Sequence, residues 1–256
     1  MRFKITLELL PELNGREIPI NYQYELSSAI YRILANGDAE YASWLHDNGF
    51  QGENKKFKFF TFSRLIAPYG IDKEKARLIF RSTRIEWFIS FLPEKSTKDF
   101  VKGIFKDQVF EIADSISRAT FKVREIQIVP DLNYTPDIVF ETLSPICISQ
   151  KNDRGKADYL SPSSPLYTKG ILTGLLAKYQ ILTGTRFKGD TFCNLQVLTE
   201  PRSSLITIKK GTIAETRVRG YSYRFRIELP NELMQIAYDS GIGEKGSLGF
   251  GMIKTI

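Results

Sequence analysis

Pro130-Asp131-Leu132-Asn133-Tyr134-Thr135-Pro136 places two prolines and three turn-prone polar residues within seven positions, and it separates two runs of similar element order. Proline fixes φ and lacks an amide donor, so such a stretch ends regular structure and reads as a boundary. Upstream, Arg2 to Leu10 alternates polar and apolar residues, with Phe3, Ile5, Leu7 and Leu9 on one face, as in a strand. A helical pattern follows from Asn21, an N-cap candidate, to Ala35. Its apolar stripe is Leu26, Ala29, Ile30, Ile33 and Leu34, and Gly37 stands after it as a stop. A short helix over Asp38 to His46 would turn Tyr41, Trp44 and Leu45 inward. Phe57 to Leu65 and Arg77 to Leu92 read as paired strands with a turn at Pro68-Tyr69-Gly70 between them. Ser96 to Ala113 reads as a helix and Phe121 to Val129 as a strand. This β-α-β-β-α-β order is that of a ferredoxin-like unit.

Downstream, strands fit Ile138 to Ser149, Phe192 to Thr199, Ser204 to Lys209 and Ile213 to Leu229, the last long and broken. Leu166 to Leu182 is helical in pattern, and Pro230 to Tyr238 is a helix with proline in its first turn. Leu248 to Ile253 would close as a strand. No sequence repeat relates the halves; only the element order recurs. The expectation is an α+β protein of two tandem ferredoxin-like (RRM-like) domains, residues 1–130 and 137–256.

Composition narrows the function. A length of 256 residues suits one large or two ordinary domains, and 42% hydrophobic with 25% charged residues is typical of globular chains. The net charge of +7 and pI near 9.2 point to a polyanionic partner. Met1-Arg2-Phe3-Lys4-Ile5-Thr6-Leu7 lacks the apolar core of a signal peptide, and no run approaches the roughly 18 apolar residues of a membrane span. Cys147 and Cys193 sit in apolar stretches without a CxxC pattern, which fits buried thiols in a cytoplasmic setting. One histidine and two scattered cysteines do not make a His/Cys zinc site, so no metal centre is expected. No GxxxxGK[ST] loop or GxSxG elbow is present, so neither a nucleotide cofactor nor serine-hydrolase chemistry is expected.

Gly241-Ile242-Gly243-Glu244-Lys245-Gly246-Ser247-Leu248-Gly249-Phe250-Gly251 holds five glycines in eleven residues. Successive backbone amides in such a loop suit an anion, phosphate above all. The start of this stretch imitates a dinucleotide fingerprint, but no strand–turn–helix context follows it. Between Glu200 and Arg226, seven basic residues face two acidic ones, a local excess of +5. Arg217 with Arg219, and Arg224 with Arg226, are spaced to share a strand face, with Tyr221 and Tyr223 between the pairs. Cations and rings on a sheet suit single-stranded RNA. His46 falls off the apolar stripe of its helix, so its imidazole should be accessible for proton transfer near neutral pH. Tyr31 sits at the flank of the preceding helix, beside Tyr24 and Ser27. Lys55, Lys56 and Lys58 introduce an aromatic strand, where a cation can be held near developing negative charge. Each of these residues also fits an ordinary surface or packing role.

Residues 241–252 resemble the glycine-rich signature of the CRISPR repeat-processing endoribonucleases of the RAMP superfamily. Asn21-Tyr22-Gln23-Tyr24 with Ile30-Tyr31, Trp44-Leu45-His46, Phe59-Phe60-Thr61-Phe62-Ser63 and Thr142-Leu143-Ser144-Pro145-Ile146 extend the likeness in order along the chain. The resemblance implies tandem ferredoxin-like folds and metal-independent cleavage of repeat RNA. Attack comes from a 2′-hydroxyl and leaves a 2′,3′-cyclic phosphate and a 5′-hydroxyl. It implies Tyr31, His46 and a lysine as the catalytic set, with Lys58 matching best and Lys56 as its rival. RNA contacts are expected from Gly241, Gly243, Lys245, Gly246, Gly249 and Gly251, and from Arg217, Arg219, Arg224 and Arg226. The partner is CRISPR repeat RNA, with effector-complex subunits as further candidates and the state either monomer or homodimer. A non-catalytic RNA-binding RAMP subunit is the alternative.

Overall fold

A computed structural model describes residues 1–52 and 55–256. The chain forms two compact units: Met1–Asp47 with Ser63–Pro130, and Asn48–Phe62 with Asp131–Ile256. The second unit thus recruits a segment from within the first half of the sequence.

In the first unit, strands Arg84–Phe91, Arg2–Leu9, Arg118–Val129 and Val109–Ala113 lie side by side in that order, all antiparallel. Ile5, opposite both Trp87 and Ile126, turns to the core with Leu7, Leu9, Ile89 and Phe121. Helices Gln23–Gly37 and Glu94–Lys106 cover that face. All five residues of the expected stripe, Leu26 to Leu34, are buried. The two helices approach so closely that a Cβ on Gly103 would come 1.8 Å from the Ile33 carbonyl oxygen. Gly37 serves the same approach, against the Asp99 carbonyl, and is the helix's last residue instead of a stop beyond it. Asn21 is not the cap either; Tyr22 precedes the first turn without a side-chain bond.

In this unit two expected elements and one side chain differ. The helix beginning near Ser96 ends at Lys106, and Val109–Ala113 is a strand pairing with Arg118–Lys122, because Phe110 and Ile112 alternate into the core. Arg77 to Leu92 splits: Arg77–Phe80 joins a small ribbon with Glu17–Pro19 and Tyr69–Asp72, while Arg84–Phe91 enters the main sheet. Trp44 is 38% exposed and stacks on Tyr41 instead of turning inward.

In the second unit, the four-stranded sheet runs Asn194–Val197, Arg224–Glu228, Phe140–Thr142, Ile253–Thr255, which are the second, third, first and fourth strands of a ferredoxin-like sheet. Helices Pro165–Thr183 and Asn231–Ser240 complete it. Phe140 stacks on Phe225 in its core. Two antiparallel ribbons are added: Ser149–Lys151 with Ala157–Tyr159, and Arg202–Ile208 with Thr216–Ser222. Phe57 to Leu65 is not one strand, because Phe59 takes φ 52° and interrupts it between Lys56–Phe57 and Phe60–Phe62. Leu248 to Ile253 is likewise interrupted by Gly249 and Gly251 at φ 77° and 78°, leaving a 3-10 turn and the strand Ile253–Thr255.

Candidate functional site

In the first unit, Tyr31 leaves the long helix and His46 the short helix Ala39–Asp47, and their rings meet edge to face with centroids 5.0 Å apart. The His46 side chain is 62% exposed, in line with its place off the apolar stripe. Its Nδ1 lies 2.8 Å from Asp47 Oδ1. An ionised carboxylate only accepts hydrogen bonds, so Nδ1 is the donor, and in the neutral ring Nε2 carries the lone pair. The arrangement is an exposed base held in one tautomer, with a phenol ring against it.

The second unit holds the lysines. Lys58 is half-buried, and its side chain folds over Gly49, where φ is 61°. Lys55 and Lys56 are exposed. These residues, with the glycine-rich element, line a cavity of about 510 Å³. Among the described residues six lysines line it: Lys55, Lys56, Lys58, Lys151, Lys178 and Lys245. Glu244 is the acidic group among those described residues, and both its carboxylate oxygens accept from Ser149, at 2.9–3.1 Å. The cavity is therefore strongly cationic and matched to a phosphate-bearing ligand.

The glycine-rich element departs from the expected amide cradle. The amides of Ile242, Glu244, Leu248, Gly249 and Gly251 donate to Gly251, Cys147, Lys245, Gly246 and Pro145 carbonyls. The two Gly-apolar-Gly triplets pack against each other, and Thr61 Oγ1 donates to the Phe250 carbonyl at 2.9 Å. Much of the glycine content is thus spent on close backbone approach. Lys245 itself takes a left-handed conformation at φ 59°.

The basic residues fall on two surfaces. Arg217 and Arg219 share a face of the ribbon Arg202–Ile208/Thr216–Ser222, opposite the buried Ile206, Ile208 and Val218, and Arg219 donates to Ser203. Arg224 and Arg226 belong to the next strand, where Arg224 pairs with Glu141 and Arg226 donates to the Asp137 carbonyl. Tyr223 is no stacking platform: it is buried, and its hydroxyl lies 3.0 Å from that of Tyr167. Burial pushes the Cys147 and Cys193 thiols up to about 12. Both cysteines are unpaired with each other, Cys147 buried and Cys193 half-buried. No helix among the described residues is long and apolar enough to cross a membrane.

Sequence reasoning missed Lys178. It stands in the buried stripe Tyr167, Ile171, Leu175, Lys178 of its helix, a position where lysine is rare. That misplaced charge at helical spacing was the available signal.

These two units define a tandem ferredoxin-like protein of the RAMP type with a glycine-rich element before its last strand. Residues 17–127 match the family described as CRISPR-associated protein Cas6, N-terminal, and residues 125–255 the family described as CRISPR associated protein Cas6, C-terminal. The chain belongs to the Cas6 family. It is 29% identical to CRISPR-associated endoribonuclease Cas6 1 of Methanocaldococcus jannaschii, covering 99% of this chain and 92% of that protein. It is 27% identical to CRISPR-associated endoribonuclease Cas6 of Pyrococcus furiosus, covering 100% and 90%. A solved structure of a Cas6-related gene product from Pyrococcus furiosus superposes with a TM-score of 0.84 at 27% identity over 100% of this chain and 98% of that one. A structure described as a RAMP protein binding different RNA substrates gives 0.82 at 25% identity, covering 100% and 99%.

Proposed function

We propose that this chain is an endoribonuclease that cuts CRISPR repeat RNA within its precursor transcript, in the cytoplasm and without a metal ion. The observation that carries this reading is the edge-on Tyr31–His46 pair with Asp47 on Nδ1. Nε2 of His46 takes the proton of the scissile 2′-hydroxyl. The 2′-oxygen–phosphorus bond then forms as the phosphorus–5′-oxygen bond breaks, and the leaving oxygen takes its proton from Tyr31 or, where Tyr31 only orients the reaction, from the imidazolium that His46 has become. Lys58, with Lys56 as its rival, offsets the charge that grows on the phosphoryl oxygens. Products are a 2′,3′-cyclic phosphate and a 5′-hydroxyl. The proposed division is an N-terminal part, residues 1–130, bearing Tyr31 and His46, of which residues 48–62 with Lys58 cluster with the second unit, and a C-terminal part, 137–256, bearing the RNA surface.

The substrate test is incubation with repeat RNA in chelator, followed by analysis of the product ends. Cleavage is expected to persist, and a 2′-deoxy substitution at the scissile nucleotide is expected to block it. Product from the deoxy substrate would rule out internal attack, and activity lost to chelator and restored by a divalent cation would rule out metal independence.

RNA is held by Lys245 and Gly246 and by Arg217, Arg219, Arg224 and Arg226, on a surface that the buried Gly241, Gly243, Gly249 and Gly251 shape from beneath. Arg217→Ala and Arg219→Ala are each expected to flatten the dependence of log affinity on log salt by about 0.7, the value for one contact to single-stranded phosphate. Arg224→Ala should change it less, since Glu141 already neutralises that guanidinium. Equal slopes in all variants would remove the ribbon from the RNA surface. A non-catalytic RNA-binding subunit would bind but give no product; the endoribonuclease names of relatives matching nearly the whole chain favour the enzyme.

A further inference from the structure

Lys178 is 4% exposed and lies in the wall of the lysine-lined cavity. Its Nζ donates to the Gly241 carbonyl at 2.5 Å and to the Ser240 carbonyl at 3.3 Å. Those oxygens end helix Asn231–Ser240, where the last carbonyls have no intrahelical partner and the helix dipole is negative. Gly241 follows at φ 84°, ψ 149°, which is not the left-handed geometry of the usual backbone cap. A side chain from another helix therefore performs the capping. The same Ser240 oxygen lies 3.0 Å from where a Cβ on Gly246 would stand, so it touches both ends of the glycine-rich turn.

We infer that Lys178 is a positioning residue for the glycine-rich element, tying Ser240 and Gly241 in place so that the cationic cavity keeps a shape that receives phosphate. This rests on the RNA-processing reading above.

The surroundings of Lys178 make the tie responsive to an anion. Lys55 faces it in charge, the Phe57 ring centroid lies 5.9 Å from Nζ, and Lys56, Lys58, Lys151, Lys245 and Glu244 share the cavity. Glu244 is engaged by Ser149, and the strand Phe50–Gln51 packed against the helix brings no charge. Burial first, and Lys55 second, push the amine down to about 7. A phosphate entering the cavity offsets the Lys55 repulsion and adds an attraction of its own, which favours the ammonium form, so RNA binding takes up a proton above neutral pH. In the absence of RNA the sign is opposite. The unfolded chain keeps this proton up to the ordinary lysine range, so this residue's contribution to fold stability rises with pH above about 7. A merely structural lysine would show the second trend without the first.

The test uses the full chain and a 2′-deoxy repeat RNA that is not cut. Calorimetry in buffers of different ionisation enthalpy at pH 8 is expected to show proton uptake on binding by the parent, abolished in Lys178→Met and in Lys178→Arg. Amide exchange over residues 241–252 is expected to lose about tenfold in protection in Lys178→Met, with helix Gln23–Gly37 unchanged and Lys178→Arg restoring part of it. Parental protection in Lys178→Met overturns the positioning role. Parental proton uptake in Lys178→Met overturns the linkage. Should Lys178→Met fail to fold, absence of proton uptake by the parent, or its persistence in Lys178→Arg, overturns it. If neither the parent nor a variant binds RNA, the functional reading fails while the exchange measurement still decides the positioning role.

Discussion

Replacing His46 with alanine is expected to slow single-turnover cleavage of repeat RNA by about 10²–10⁴-fold while leaving RNA affinity unchanged. That loss corresponds to about 3–5 kcal/mol of barrier, the usual share of one general acid–base group. The expectation follows from three features of the site. The imidazole is exposed, so substrate can reach it. Asp47 accepts at Nδ1 and so holds the tautomer that leaves Nε2 basic. Tyr31 packs edge to face on the ring and limits its rotation. None of these contributes to the buried core, so the variant should fold as the parent does. A rate loss with constant affinity marks an interaction made in the transition state alone. Cleavage by His46→Ala at the parental rate would reduce His46 to a surface residue and require another base.

Gly251→Ala is expected to destabilise the second unit by about 2–5 kcal/mol, the sum of a left-handed alanine and an overpacked contact. Gly251 has φ 78°, and an added Cβ would lie 2.0 Å from the Ile242 carbonyl oxygen. Neither neighbour can retreat cheaply. Ile242 donates to the Gly251 carbonyl at 2.8 Å, and the Gly251 amide donates to Pro145 at 2.9 Å. Gly184→Ala is the matching control: φ is 72°, yet nothing lies within 4 Å of the added Cβ. It should lose only the conformational part, about 1–2 kcal/mol. Denaturant unfolding of both variants separates strain from clash, and RNA affinity should fall with Gly251→Ala alone. Equal losses would show that packing between the two glycine triplets matters little.

Much of the architecture was legible because its signals are local. The alternation of Phe3, Ile5, Leu7 and Leu9 and the stripe Leu26 to Leu34 each follow from a short periodic pattern. The exposure of His46 followed from the same reasoning, as a residue off its stripe. What the pattern could not carry was set by tertiary partners. Val109 to Ala113 suits a helix or a strand, and pairing with Arg118–Lys122 decides it. Phe59 has the composition of a strand residue but takes φ 52°, its ring held between Phe50 and Phe57. The glycine-rich element suggested an amide cradle for an anion, whereas its amides largely close on Cys147, Pro145 and on one another. Tyr223 read as a stacking ring until Tyr167, far away in sequence, took its hydroxyl. Lys178 was passed over because a lysine is ordinarily solvated, and only the ends of another helix give it a reason to be buried.

The recruitment of Asn48–Phe62 into the second unit has a consequence for the order of assembly during synthesis. The first unit's strands and helices are all available once Pro130 has left the ribosome. Thr61 must wait for Phe250, nearly two hundred residues later, before its hydroxyl finds its acceptor. Contacts so distant in sequence form late and slowly. The lysines of residues 55–58 therefore spend most of translation without the glycine-rich wall that completes their cavity. A nascent chain that has not reached the glycine-rich element carries Tyr31 and His46 but has no finished cationic cavity, so a capacity to engage RNA there arises only once that element has been made.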